Sequence, residues 1–203
     1  MTPNRGLRTY QGMNSFDETA AWNGALAGDG TAFGQLFDAY SSRVYRHALR
    51  LASDVHDAED VAAAAFLELW RNRGKVRVVD GSVLPWLLVT TTNLALNQGR
   101  GLRRYRTFLG GLPRAERLAD SAEAEALLRA DWDVSPALLA GIRALSHTDQ
   151  QLLALVGLED YPLRAAAQAL GLTEQAARSR LQRIRRRLAD HHTANSLALA
   201  AEH

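Results

Sequence analysis

Residues 163–188 read LRAAAQALGLTEQAARSRLQRIRRRL, two helical patterns on either side of a glycine. Pro162 suits the opening of the first pattern, Gly171 supplies a tight turn, and Thr173 is placed to cap the second. Helix, glycine turn and helix at this spacing predict a helix-turn-helix. Within the second helix Ala177, Leu181, Ile184 and Leu188 follow one another at steps of four, three and four, which makes a single buried stripe. Outside that stripe stand Arg178, Arg180, Arg183, Arg185, Arg186 and Arg187, with no acidic residue between them. A helix that is merely solvated mixes charge signs to gain pairs one turn apart and to avoid like-charge repulsion. An unmixed arginine face is better matched by phosphate. After a helix-turn-helix it points to duplex DNA, the first turns reading base edges and later arginines holding the backbone.

Upstream, Ser135 and Pro136 open a short helical pattern that ends near Leu145, and Thr148 with Gln151 has the spacing of a capping box ahead of LLALVGL. The preceding stretch, 114–134, is polar, acidic and alanine-rich, a linker by composition. Before it lies a second helical region. Phe33, Leu36, Phe37, Tyr40, Val44, Ala48 and Leu51 fall on one stripe of a long helix capped by Asp29. Val61, Ala65, Phe66, Leu69 and Trp70 mark another from near Asp57 to Arg73, its acidic first turn suiting the helix dipole. A loop with Gly74 and Gly81 follows. Ser82 and Pro85 then suit the start of PWLLVTTTNLALNQ, which runs into Arg100, Arg103, Arg104 and Arg106.

The sequence therefore predicts an all-α chain of two small helical domains, 21–113 and 135–190, joined by a flexible linker at 114–134, with tails at 1–20, expected to be disordered, and at 191–203. Of its 203 residues 47% are apolar, enough for packed cores, and the formal charge of +2 hides an uneven placement. Lys75 is the only lysine, and the preference for arginine favours forked contacts with phosphate or base edges. Without cysteine there is no disulfide, thiolate metal site or cysteine nucleophile. The N-terminus lacks the apolar run of a secretory signal, so a cytoplasmic protein is expected.

The ordered set AFGQLFDAYSSRVYRHALRL, DAEDVAAAAFLELWR, LPWLLVTTTNLALNQ and IRALSHTDQQLLALVGLEDYPLRAAAQALGLTEQAARSRLQRIRRRL resembles a bacterial RNA polymerase sigma factor of the sigma-70 superfamily, of the extracytoplasmic-function type. The resemblance spans residues 21–190. It implies a promoter-specificity subunit that binds core RNA polymerase through its beta and beta-prime subunits, melts promoter DNA, starts transcription at a specific regulon, and is often held by an anti-sigma protein. It implies core-polymerase contact by Glu59, Asp60, Phe66 and Trp70, although Phe66 and Trp70 fit a plain core role somewhat better. Contact with the minus-ten element falls to Trp86, Asn93, Asn97, Arg100, Arg103 and Arg104. Asn93 would receive a flipped base, an amide offering both donors and an acceptor to a base edge. The loop 74–82 would form the other wall of that pocket. Contact with the minus-thirty-five element falls to Thr173, Gln175, Arg178, Ser179, Arg180, Gln182 and Arg183. The resemblance departs at Ala63 and Ala64, where relatives carry Gln-Glu, at Leu88 and Val89, where they carry an aromatic and an arginine, and at residues 175–177, where they carry Gly-Thr-Val.

Two other readings fit parts of the chain. A homodimeric helix-turn-helix repressor or activator acting without polymerase fits the second domain. A DNA-cutting enzyme needs a nucleophile, and Ser41 and Ser42 near Arg43 and Arg46 have no further motif. No cofactor, catalytic residue or metal ligand set is expected, since His47, His56, His191, His192 and His203 lack ligand spacing.

Overall fold

The computed structural model describes residues 16–52, 54–108 and 136–201, apart from the side chains of 98–108, 136–137 and 191–201. Apart from one isolated pairing of Val79 with Ser82, all regular structure among the described residues is helical.

The first domain opens with α1 (Glu18–Leu26), capped by Asp17, whose carboxylate accepts from the Ala20 amide. It starts inside the stretch expected to be a tail and buries Ala21, Trp22 and Ala25, a short apolar pattern too brief to stand out by period. Gly28 turns the chain with φ +91 into α2 (Gly30–Leu51). Asp29 caps α2 as its position suggests, accepting from Thr31 and Ala32. The predicted stripe is buried at Leu36, Val44 and Ala48, while Phe37 stays 44% exposed with its ring 4.8 Å from Phe66. The third helix, α3 (Val55–Asn72), begins at an Asp54 cap, slightly before Asp57. It buries Val61, Ala65, Phe66 and Leu69.

A tight turn at Asp80 (φ 50) and Gly81 (φ 81) closes the Val79–Ser82 pair. Two positive φ values in a row define the mirror-image turn that favours Asp-Gly. It delivers the chain into α4 (Leu84–Phe108), where Ser82 Oγ accepts from the Leu84 amide at 3.1 Å. Glu18 of α1 adds a second cap, its carboxylate accepting from the Val83 amide at 2.7 Å and from the Tyr40 hydroxyl. Burial, with the Glu18 contact, pushes Tyr40 up from its ordinary value. Three elements therefore converge on the start of α4.

The second domain comprises α5 (Pro136–Arg143), α6 (His147–Leu153), a π-helical turn (Ala154–Leu158), α7 (Leu163–Ala169) and α8 (Glu174–Ala201). The cap of α6 is Ser146, accepting from the Asp149 amide, and the Thr148–Gln151 capping box does not form. Thr148 falls one residue inside the helix and cannot adopt an extended cap conformation there. Thr173 caps α8 as predicted, and Gly171 has φ +68. The helix α8 continues past residue 190 through most of the stretch expected to be a C-terminal tail. The acidic linker at 114–134 lies outside the described residues.

Buried side chains of the two domains, from Leu36, Val44, Leu87 and Leu88 to Leu152, Leu155 and Ile184, join in one apolar cluster. The helix α4 meets α6, the π-helical turn and α7. Leu36 is fully buried at the centre of the first domain. Leu36→Ala should cost about 2–5 kcal/mol of unfolding free energy, read by urea denaturation. A loss below about 1 kcal/mol would show that the site collapses around the cavity.

Candidate nucleic-acid interface

The turn at Gly171 sets the arginine helix at an angle to α7 and leaves its first turns exposed. Thr173, Gln175, Arg178, Ser179, Gln182 and Arg183 are all at the surface, while Ala177, Leu181 and Ile184 face inward. The predicted split of the helix into a buried stripe and an arginine face is therefore present. Arg178 donates to Glu174 at 2.9 Å, an exposed pair one turn apart that solvent screens and a stronger anion can replace. Arg183, Arg185 and Arg186 make no ion pair among the described residues.

Arg180 is placed differently. Its side chain is 30% exposed and donates to Asp149 of α6 at 2.8 Å. Burial alone would raise the Asp149 carboxyl, but the hydrogen bonds from Arg180 and Ser146 and the charges of Arg180 and Arg183 outweigh it and hold it below the usual range. Arg180 thus ties α8 to α6, whereas Arg178 and Arg183 face solvent.

On α4 the candidate residues separate by depth. Trp86 is half-buried, Asn93 partly buried and Asn97 exposed, while Arg100, Arg103 and Arg104 lie on the helix with side chains outside the described residues. Leu88 is fully buried, so it serves the core. Asn93 is engaged within the chain, its Oδ1 accepting from the Gln151 amide of the second domain. The loop predicted as a pocket wall is engaged as well. Arg77 donates to the Gln168 carbonyl at 2.9 Å, and Asp80 pairs with Arg164 at 3.4 Å. A Cβ on Gly171 would sit 2.8 Å from Arg77 Nη1, so the turn's bare backbone also permits this approach.

On α3, Glu59 and Asp60 are exposed, as a docking surface requires, but Phe66 is 4% exposed and belongs to the core. Trp70 is intermediate, packed edge-on against Phe33 at 5.1 Å and covered on one side by Arg73 at 4.4 Å. The exposed apolar groups of this region are Leu67, at 54%, and Phe37.

Sequence reasoning missed the polar centre of the domain contact. Glu159 follows the π-helical turn and precedes Asp160, which has φ 54. Its side chain, 5% exposed, accepts from Arg43 Nε at 2.9 Å, His47 Nδ1 at 2.9 Å and Arg50 Nη1 at 3.1 Å, all on α2. Burial would raise the Glu159 carboxyl; the His47 hydrogen bond and charge, then Arg43, reverse this and lower it. His47 is fully buried and its Nε2 lies 2.9 Å from Thr92 Oγ1, next to Asn93 in the chain. The spacing of Arg43, Arg46, His47 and Arg50 marks one basic face of α2, but nothing in the sequence pairs it with Glu159.

A family model described as Sigma-70 region 2 matches residues 36–105, and one described as Sigma-70, region 4 matches residues 136–188, together more than half of the chain. The chain belongs to the sigma-70 family. A probable RNA polymerase sigma factor, RfaY of Xanthomonas campestris pv. campestris, is 31% identical over 79% of this chain and 40% of its own length. The ECF RNA polymerase sigma factor BldN of Streptomyces coelicolor is 28% identical over 81% of this chain and 62% of its own. The matched region thus spans under two thirds of these two relatives. Among solved structures, CnrH in complex with the cytosolic domain of CnrY aligns with a TM-score of 0.53 at 20% identity, covering 87% of this chain and 97% of that one, which establishes a shared fold. In this sigma-70 family member the Glu159 contact joins the segment matched by region 2 to the segment matched by region 4.

The distinction between Arg180 and Arg183 can be measured. Arg180→Ala should lose about 1 kcal/mol of stability near neutral pH, because its hydrogen bond to a carboxylate is only part-exposed, while Arg183→Ala should lose almost none. Because Asp149 is lowered in the folded state, its contribution is complete above the unfolded carboxyl range, about 3.9, and is lost as pH falls through the folded value. Denaturation curves of wild type and Arg180→Ala should therefore converge below about pH 4.

Proposed function

We propose that this protein is a sigma factor. In this reading it binds core RNA polymerase, recognises a promoter through both domains, and carries no reaction chemistry of its own. The observation that carries the reading is the pairing, in one chain of the sigma-70 family, of an exposed arginine face behind a Gly171 turn with a first domain whose Asn93 is partly buried at the contact with the second. A dimeric repressor would account for the second domain and leave the first without a role.

The roles divide by element. On α8, Arg178 and Ser179 stand in the first turns, where side chains reach base edges in a major groove, with Thr173, Gln175, Gln182 and Arg183 around them. On α4, Asn93 takes a base from the melted strand, with Trp86 and Asn97 beside it and Arg100, Arg103 and Arg104 following phosphates. On α3, Glu59 and Asp60 offer an acidic surface to polymerase, with Trp70 about three turns further along the helix and Phe66 in the core between them. Strand opening is driven by binding, since holding an extruded base offsets a few kcal/mol of lost stacking and pairing. This work belongs in the cytoplasm, where core polymerase and promoter DNA are found, and an anti-sigma protein is a natural regulator.

The direct test is co-purification with core polymerase, followed by run-off transcription on genomic fragments of the source organism. Stoichiometric binding with new, specific transcripts supports the reading. A stable dimer on duplex DNA that ignores core polymerase would overturn it. On a promoter so found, Arg178→Ala should cost about 1–3 kcal/mol of discrimination at the upstream element, and unchanged promoter preference would remove Arg178 from the reading positions.

A further inference from the structure

The second domain brings two side chains onto neighbouring parts of the first. Gln151 gives an amide N–H to Asn93, and Glu159 gives a carboxylate to Arg43, His47 and Arg50. An amide donor facing a base-reading asparagine and an oxyanion facing two guanidinium groups are the two kinds of group that a nucleotide carries on its base edge and its phosphate.

We propose that Arg43, His47 and Arg50 form a socket for a backbone phosphate of the single strand whose base is taken by Asn93, and that Glu159 fills this socket in the closed chain. The proposal rests on the reading of Asn93 as a base-contacting residue. Four observations support it. The donors converge on one point from a single helix face, His47 being fully buried with Nδ1 aimed into the socket. Arg43 Nη2 and Arg50 Nη1 also donate to the carbonyls of Glu159 and Leu158, so the socket has more donors than one carboxylate uses. Beside the carboxylate lies a cavity of about 210 Å³, lined by Arg43, Arg46 and Arg50 on one side and Leu158, Glu159 and Asp160 on the other, with space for a larger oxyanion. Finally, His47 Nε2 meets Thr92, the residue before Asn93, so socket and base-reading position share one stretch of α4.

If the second domain swings away, Glu159 leaves three convergent donors on the first domain without their acceptor. At this site two guanidinium forks and an imidazole nitrogen set on one helix face then offer charge-assisted hydrogen bonds to a new anion. A phosphate suits it better than a carboxylate, since it spreads charge over several oxygens and accepts from arginine forks. The closed chain thus shields its strand-reading face from non-specific single strands.

The test uses the full-length chain. It lacks cysteine, so Asp38→Cys and Asp190→Cys provide two labels for the distance between the domains. The probe is a fluorescein-labelled mixed-sequence DNA single strand of about 12 nucleotides, a length within the site sizes of single-strand binders. Glu159→Gln should lengthen the inter-domain distance and tighten binding about tenfold, and Glu159→Arg should do at least as much. In the Glu159→Gln background, Arg43→Ala with Arg50→Ala should abolish the gain. The same pair should flatten the salt dependence by about 0.7 in the logarithmic slope, the share of one single-strand phosphate. An unchanged distance in both Glu159 variants overturns the closing role of Glu159. If Asn93→Ala weakens binding while the arginine pair has no effect, the phosphate socket is wrong and the base-contact reading stands. If neither matters, the base-contact reading falls and takes this proposal with it. Should the arginine pair weaken binding of poly-glutamate but not of DNA, the socket serves an acidic protein and the nucleotide assignment is wrong.

Discussion

A carboxylate withdrawn from water must find charge and donors or give up its ionised form, and Glu159 finds three side chains of α2. This contact brings three side chains of the first domain to one buried carboxylate of the second. It needs the π-helical turn at 154–158, which leaves the helical hydrogen-bond register, and the positive φ of Asp160, which turns the chain away once the carboxylate is in place. Tyr161 completes the arrangement by receiving Arg43 over its ring at 5.4 Å. Apolar burial between the domains supplies area without direction, whereas the fixed fork of an arginine and the two nitrogens of an imidazole specify how the surfaces meet.

Much of the remaining polar structure positions α4. Glu18, Ser82 and Tyr40 converge at its start, and Thr91 and Thr92 return their hydroxyls to the carbonyls of Leu87 and Leu88. The helix is held at its N-terminal end by Glu18 of α1, Tyr40 of α2 and the turn residue Ser82, and in its middle by His47 of α2, whose Nε2 lies 2.9 Å from Thr92 Oγ1. Asn93 is carried on this helix and is therefore held in place against Gln151.

The arginines of the chain are not one population. Arg43, Arg50, Arg77 and Arg180 are spent on contacts inside the molecule, and all but Arg180 join the two domains. Arg178 has only an exposed neighbour one turn away, and Arg183, Arg185 and Arg186 face solvent with no ion pair among the described residues. Composition counts these groups together. Their separation into internal and external sets follows from which acidic residues the fold brings near them.

Apart from α1, whose apolar pattern is too brief to read, the sequence alone determined the helices of both domains and the arginine face of the last one. Each is a local matter of period, capping residue or glycine within a few positions. Asp29, Thr173 and Gly171 were legible for that reason, and so was the buried set Ala177, Leu181 and Ile184. A capping-box spacing points to Thr148, whereas the start of α6 in space makes Ser146 the cap. Phe37 and Phe66 are alike in the pattern, yet one remains partly exposed and the other buried, because that depends on which helix covers them. The tertiary structure alone decided that Arg180 belongs to Asp149, that Gln151 belongs to Asn93, and that Glu159 belongs to Arg43, His47 and Arg50. These partners lie 31 to 116 residues apart. Periodicity within one helix carries no information about which distant carboxylate or amide will be folded against it.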